Sequence, residues 1–178
     1  LKNDVEEMNR LIGEFLDFSR GLEKEALQMT DLNPLLQELA DNAAAEGATI
    51  RWQPRANCEC AVGRMALRRI LTNLLSNAVR YGNGHEIELS CVCAESETVI
   101  SVLDRGPGVP AGEVENVFRP FYRLESSRST ATGGSGLGLA IAKQLSEVNG
   151  WKIALLPRAG GGTEARLTIA RRAGRANV

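Results

Sequence analysis

Between residues 1 and 22 the apolar side chains fall at Leu1, Val5, Met8, Ile12, Phe15 and Leu22, with Leu11, Leu16 and Phe18 widening the stripe. Steps of three and four over several turns predict a helix with one long apolar face. So little chain precedes Asp31 that such a face finds its cover more readily in a helical bundle, from further chain or a second copy, than by folding back on its own domain. The pattern is already under way at Leu1, and we read the sequence as a piece of something longer.

Residues 23–30 form a short charged connector. Asp31-Leu32-Asn33-Pro34 then supplies a cap and a proline suited to a first helical turn, predicting a helix from Pro34 to Ala45. Alternating or β-branched runs predict strands at Ala48–Trp52 and Cys58–Val62, with a turn at Pro54 between them, and at 86–93 and 99–104. Gly63 to Tyr81 reads as a long helix burying Leu67, Ile70, Leu71, Leu74, Leu75 and Ala78. A short helix around Gly112–Val117, a polar loop from Glu125 to Thr132, a glycine-led helix from Leu137 to Val148 and strands at Trp151–Leu156 and Thr163–Ile169 complete the chain. Without the strict strand-helix-strand rhythm of a parallel sheet, this order predicts a two-layer α+β sandwich. The expected division is a bundle helix over 1–22, a linker over 23–30, a domain over 31–170 and a disordered basic tail over 171–178.

A chain of 178 residues with 43% hydrophobic content can bury one good core with a helical segment attached. A net charge of −1 argues against nucleic acid or an anionic membrane surface as the main partner. No apolar run approaches the roughly 20 residues needed to cross a bilayer. The four cysteines stand as Cys58-x-Cys60 and Cys91-x-Cys93, each pair on one face of a strand. Two such pairs suit a zinc ion in principle, but the zinc-typical spacing of two intervening residues is absent, so small buried cysteines in reduced strands, without a metal, are expected.

The chemistry concentrates in a few motifs. Asn73 and Asn77 lie one turn apart on the long helix and share a face, where an amide oxygen can serve Mg²⁺ as a hard ligand; the competing reading has both bonded to nearby backbone. Arg80 comes next on that face toward phosphate, and Tyr81 at the helix end can cover a base or sugar. Asp104 closes a buried strand, where a carboxylate accepts from the exocyclic amine of adenine and would oppose the guanine oxygen; Gly106 and Gly108 let the chain turn beside the ring. Phe118-Arg119-Pro120-Phe121 places two rings, expected in the core, at the root of the polar loop, a candidate lid in which Arg123 and Arg128 could reach phosphate. Gly133-Gly134-Ser135-Gly136-Leu137-Gly138 runs into a helix start, a place for phosphate oxygens on backbone N–H groups. Neither the strand-led dinucleotide motif nor the Lys-Ser/Thr phosphate loop is present. Gly161-x-Thr163 makes a tight entry into the last strand.

Taken in order, Asn73-x-x-x-Asn77, Asp104-x-Gly106-x-Gly108, Phe118-Arg119-Pro120-Phe121, Gly134-x-Gly136-x-Gly138 and Gly161-x-Thr163 resemble the N, F and glycine boxes of sensor histidine kinases, over about residues 31–169. The resemblance implies the Bergerat ATP-binding fold: a mixed sheet of about five strands with three helices on one face. It also implies ATP and Mg²⁺ as ligands, with Asn77 holding the metal and Asn73 and Arg80 near the phosphates, these three being the catalytic candidates. Tyr81 would lie near the nucleoside, Asp104, Gly106 and Gly108 at adenine, Phe121 and Arg123 at the lid, and Gly134, Ser135, Gly136, Leu137 and Gly138 at the phosphates, with Thr163 also among the nucleotide-binding residues. The implied partners are ATP and ADP, the phosphoacceptor helix of the same kinase in cis or in trans within a homodimer, and the receiver domain of a response regulator. The implied setting is the cytoplasmic side of a bacterial inner-membrane sensor, with residues 1–22 as the second helix of its dimerisation and phosphotransfer domain.

Two departures stand out. The family's phosphoacceptor run His-Glu-x-Arg-Ser/Thr-Pro is absent; the single histidine, His85, precedes Glu86 but sits in a glycine turn before a strand, so it is expected as a surface loop residue and not an acceptor. Arg64 also stands where relatives often carry Asp, which touches helix capping only. Similar chaperone, topoisomerase and mismatch-repair ATPases carry a glutamate four residues before the metal-binding asparagine. Here that position is Asn73, whose amide has no useful basicity, which favours transfer to another protein's nucleophile over hydrolysis.

Overall fold

Alternation along four strands builds the inner wall of the domain. The computed structural model describes residues 12–13, 16, 24–55, 58–124 and 134–171. In it β4 (Ile87–Cys93), β5 (Glu97–Leu103), β6 (Lys152–Pro157) and β7 (Thr163–Ala170) pair antiparallel, and β2 (Ile50–Trp52) joins β4 in parallel. The strand order is β2-β4-β5-β7-β6, a mixed sheet of five strands. Register sets Leu89 opposite Val102 and Val102 opposite Ala165, then Cys91 opposite Ile100 and Ile100 opposite Leu167, all buried on one face. The intervening positions turn outward, where Ser101, Glu164 and Arg166 bond one another. Period-two alternation thus yields one apolar and one polar face, as in antiparallel sheets covered on one side.

The helices supply the second layer. These are α1 (Leu32–Ala45), α2 (Arg64–Tyr81) and α3 (Gly138–Asn149). Leu67, Ile70 and Leu71 of α2 are wholly buried, as are Leu32 and Leu36 of α1. Asp31 caps α1 through its side chain on the N–H of Asn33, as the sequence predicts. Gly150, in the left-handed region at φ 72°, ends α3 and lets the chain turn into β6. The α+β sandwich is therefore the observed architecture.

Several boundaries differ from expectation. The connector contains a strand, β1 (Gln28–Asp31), which pairs antiparallel with β3 (Glu59–Val62) in a separate two-stranded sheet. Thus Cys58–Val62 does not enter the main sheet; its partner run, Gln-Met-Thr-Asp, has too little apolar alternation to be seen as a strand in isolation. In place of the short helix over 112–117 stand two single 3₁₀ turns, Ala111–Glu113 and Asn116–Phe118. From the expected bundle helix Ile12, Gly13 and Leu16 are helical, with Ile12 and Leu16 exposed; the rest of it lies outside the described residues, as do 125–133, Arg128 among them, and the tail from 172. Arg171, assigned to the tail, bonds the turn between β4 and β5 through its N–H to Ser96 and its guanidinium to Ala94.

The cysteines also differ. Cys58 and Cys93 form a disulfide, where reduced thiols were expected, and Cys60 and Cys91 are free and buried. Two strands from different sheets meet at this point, a proximity that spacing along the chain does not encode.

Leu71 is central to this packing, so Leu71→Ala should cost about 2–5 kcal/mol of stability through lost burial plus the cavity it leaves. Urea unfolding with an unchanged slope would register it as a lower midpoint.

Candidate functional site

A cleft of about 410 Å³ opens between α2, the ends of β5 and β7, and the segments on either side of residues 125–133. Its wall on α2 comes from helix periodicity: with the leucines turned into the core, Asn73, Asn77 and Arg80 share the opposite face and line the cleft together. Both asparagines are half-buried, and among the described residues neither carboxamide makes a hydrogen bond. The backbone-bonded reading is thereby excluded, and two amides stand ready for a ligand. Arg80 likewise has no ion-pair partner among the described residues. A Cβ built on Gly134 would lie 2.3 Å from its Nη1, so the guanidinium rests against glycine backbone.

The start of α2 is held from a distance. Its cap, Gly63, has no side chain to offer, and Arg64 offers no acceptor. Glu25, from the segment ahead of β1, fills the role: its Oε2 accepts from the N–H groups of Met65 at 3.0 Å and Ala66 at 3.2 Å. A carboxylate there also complements the helix dipole. The chain leading into the domain is thus fastened to the helix that carries Asn73 and Asn77.

Asp104 forms the floor. It is 9% exposed and sits just beyond β5. Its Oδ1 accepts from the Gly106 N–H at 2.7 Å and the Thr163 N–H at 3.3 Å, while its own N–H donates to the Thr163 carbonyl at 2.9 Å. Oδ2 takes no hydrogen bond from the described residues, which leaves one fixed acceptor for a ligand donor. The crowding around it requires glycine: a Cβ on Gly106 would meet the Tyr81 carbonyl oxygen at 2.2 Å, and one on Gly162 would meet the Asp104 carbonyl oxygen at 2.1 Å. Gly162, at φ 105°, is therefore the glycine that the third box needs, whereas Gly161, singled out in the sequence, has open space around it. The guanidinium of Arg158 seals the site from behind. Only 9% exposed, it donates to the carbonyls of Leu103 at 3.3 Å and Asp104 at 3.1 Å and pairs with Glu88 at 3.2 Å. No motif marks Arg158, and it comes to this site only because the turn between β6 and β7 lies against the end of β5.

The two ends of the candidate lid are joined. Phe121, at φ 63°, donates its N–H to the carbonyl of Gly136, itself at φ 73°, and Arg123 donates to the carbonyl of Gly134. A side chain on Gly136 would strike the backbone of Phe121 at 2.9 Å, so this close approach depends on glycine. Of the two rings expected in the core, Phe118 is buried but Phe121 is 61% exposed, because its left-handed backbone turns the ring outward. Leu137 is buried as a core residue, and its N–H donates to Ser135 Oγ at 3.1 Å. Gly138 opens α3 against Asn73, whose Oδ1 lies 3.1 Å from where a Cβ would stand. The first turn of α3 leaves N–H groups without intrahelical partners beside the cleft, an arrangement that favours anions.

Of the expected residues, Asn73, Asn77, Arg80, Tyr81, Asp104, Gly108, Arg123, Ser135, Gly136, Gly138 and Thr163 line one cleft. Gly106, Phe121, Gly134 and Leu137 shape it from outside the lining. Asn83, at φ 55°, and Tyr122 line it without having been expected. The Tyr122 hydroxyl and the Asn116 amide both donate to Glu113 Oε2, and these bonds hold the Glu113 carboxyl below its ordinary range. His85 is an exposed residue of the turn after α2, as expected.

Residues 63–173 match the family of histidine kinase-, DNA gyrase B-, and HSP90-like ATPases. The sensor protein CutS of Streptomyces coelicolor is 37% identical over 145 residues, which cover 78% of this chain and 35% of that protein. The sensor histidine kinase CpxA of Escherichia coli is 32% identical over 159 residues, covering 85% of this chain and 35% of that one. This chain thus spans about a third of the length of these relatives. Among solved structures, full-length ShkA in complex with AMPPNP superposes with a TM-score of 0.74 at 27% identity, over 93% of this chain and 36% of that one. The ATP-binding domain of PrrB from Mycobacterium tuberculosis does so with a TM-score of 0.68 at 26% identity, over 82% of this chain and 98% of that one.

This geometry has two measurable consequences. Arg158→Met should leave the carbonyls behind Asp104 short of donors, costing about 1–3 kcal/mol of stability by chemical denaturation and weakening any ligand held by Asp104. Glu113, with its depressed pKa, stabilises the fold at neutral pH, and that contribution fades as the pH falls through the depressed value. A profile of melting temperature against pH should therefore drop less steeply on its acid side in Tyr122→Phe than in the unaltered chain.

Proposed function

The chain belongs to the family of histidine kinase-, DNA gyrase B-, and HSP90-like ATPases, and from that premise we propose that it is the ATP-binding catalytic domain of a two-component sensor histidine kinase. The observation that carries this reading is the composition of the cleft: Asp104 is the one carboxylate among its described lining residues, and it is engaged at the floor. Four residues before Asn77 stands the amide of Asn73, so among the described lining residues no carboxylate stands on that helix face to take a proton from water. A site that positions a triphosphate without activating water suits transfer to a nucleophile brought by another helix.

ATP is the substrate in this reading. Asp104 Oδ2 accepts from the adenine amine, while Tyr81 and Tyr122 flank the nucleoside side of the cleft. Arg80, the glycine run 134–138 and the first turn of α3 face the phosphates. The residues present fit a magnesium ion, since Asn77 offers an unbonded amide oxygen beside an anion-binding helix start; bound there, Mg²⁺ would neutralise charge on the phosphate oxygens. The imidazole nitrogen of a histidine attacks the γ-phosphorus, the bond to the β,γ-bridging oxygen breaks, and ADP departs. The acceptor histidine stands on a dimerisation helix of the same kinase, reached in cis or in trans, and the phosphoryl group passes on to an aspartate of a response regulator. Residues 1–22 are then the second helix of the dimerisation domain, residues 23–30 join it to the catalytic domain over 31–170, and the whole protein is a membrane-embedded bacterial sensor with this domain in the cytoplasm. No helix among the described residues is long and apolar enough to cross a membrane.

The test mixes this chain and γ-labelled ATP with a separately prepared phosphoacceptor domain. We expect label on the acceptor histidine and none on His85, with little phosphate released in the acceptor's absence. Asn77→Ala should lower transfer by about 10²-fold or more, as expected when charge neutralisation at the phosphates is lost. Asp104→Ala should weaken adenine nucleotide binding by about tenfold or more. Steady phosphate release by the chain alone would favour the hydrolysing ATPases of the family instead.

A further inference from the structure

Outside the cleft, one gathering of reactive groups among the described residues is made of sulfur. The Sγ atoms of Cys58, Cys91 and Cys93 all lie within 4.8 Å of one another. Cys58 is bonded to Cys93, Cys91 Sγ stands 3.2 Å from Cys58 Sγ and 3.8 Å from Cys93 Sγ, and Cys60 is buried next along β3. We propose that this cluster is a reversible thiol–disulfide site: oxidation joins Cys58 to Cys93, locking the sheet of β1 and β3 onto the main sheet, and reduction releases it.

The placement of the bond gives it leverage. Cys58 leads into β3, and its carbonyl accepts from the Leu32 N–H at the start of α1. Cys93 ends β4 in the main sheet. The 35 residues of separation between them contain all of α2. A cross-link that closes this loop limits how far β3 and the first turn of α2, where Glu25 is fastened, can part from the sheet. Without the bond, β3 is held to β1 by a four-residue ladder.

The environment selects which thiols react. Burial, with Cys60 adding to it, pushes the Cys91 thiol up to about 11, so at neutral pH it stays protonated and is a poor nucleophile. Cys93 is half-buried, with the Thr98 hydroxyl donating to its sulfur at 3.8 Å, whereas Cys58 is 1% exposed, so Cys93 is the thiol of the pair that an incoming reagent reaches first. A low-molecular-weight disulfide, RSSR, is the class of oxidant that fits. The Cys93 thiolate attacks one sulfur of RSSR, forming a mixed disulfide and expelling RS⁻. Cys58 then gives up its proton and attacks Cys93 Sγ, expelling the second RS⁻. Two protein thiols and RSSR thus become one protein disulfide and two RSH, with two electrons passed to the oxidant. A metal fits less well: the cluster has three sulfurs where structural zinc takes four ligands, and holding the charge of several thiolates in this core is costly, whereas a disulfide is neutral.

The test equilibrates the chain with reduced and with oxidised glutathione, blocks free thiols with iodoacetamide and maps the linked peptides by mass spectrometry. The expected result is a Cys58–Cys93 link in the oxidised sample, for the unaltered chain and for Cys91→Ala, that disappears with dithiothreitol. The melting temperature should rise by several degrees on oxidation in both. Amide exchange in β3 and the first turn of α2 should slow by about tenfold or more. Cys93→Ser should show none of these changes, and the comparison of oxidised with reduced unaltered chain needs no variant to fold. Four alkylatable thiols in the oxidised sample, a link through Cys60 or Cys91, or a bond that survives excess dithiothreitol would overturn the switch. So would stoichiometric zinc, found by elemental analysis in the reduced chain and lost on chelation together with its stability.

Discussion

A single carboxylate at the end of a buried strand imposes conditions on four separate parts of the chain. Asp104 can lie at 9% exposure because backbone N–H groups from its own turn and from the start of β7 bond one of its oxygens. Those donors come close enough only where side chains are missing, at Gly106 against the end of α2 and at Gly162 against the strand end. The guanidinium of Arg158 then covers the carbonyls behind it, which gives the backbone oxygens of Leu103 and Asp104 a donor at the edge of the core. What remains free is one oxygen, at a fixed position, facing the cleft.

The opposite wall depends on a different balance. Helix α2 spends its apolar residues on the core and keeps Asn73, Asn77 and Arg80 for the cleft, a division that a period of 3.6 residues enforces without help. Its weakness is its first turn, where the local sequence supplies no cap. Glu25 corrects this from outside the helix, while the disulfide ties the other end of β3, at Cys58, to the end of β4. Glu25 thus joins the segment ahead of β1 to the helix that carries Asn73 and Asn77, and the disulfide joins the start of β3 to the main sheet.

The loop flanking residues 125–133 carries a third balance. Phe121 and Gly136 both adopt left-handed backbone and bond each other, so the stems of the loop are joined while its middle is polar. Phe118 anchors this joint in the core, with the ammonium of Lys143 from α3 lying 5.2 Å from its ring centroid.

Much of this was legible in the order of residues. Helical and strand periods revealed the long helix, six of the seven strands and the α+β layering, because burial on one face leaves a repeat that survives in one dimension. The paired asparagines, the acidic strand end and the glycine run could be read as chemistry for the same reason: residue type and local spacing decide which groups share a face. Tertiary structure alone decided the rest. Strand β1 exists because β3 pairs with it, Glu25 caps a helix that begins some forty residues later, Arg158 reaches β5 only after the chain has returned, and Gly162 displaces Gly161 because of what lies opposite. Cys58 and Cys93 meet because two sheets do. Each of these depends on what a distant segment places within a few ångströms, a quantity that no local pattern contains.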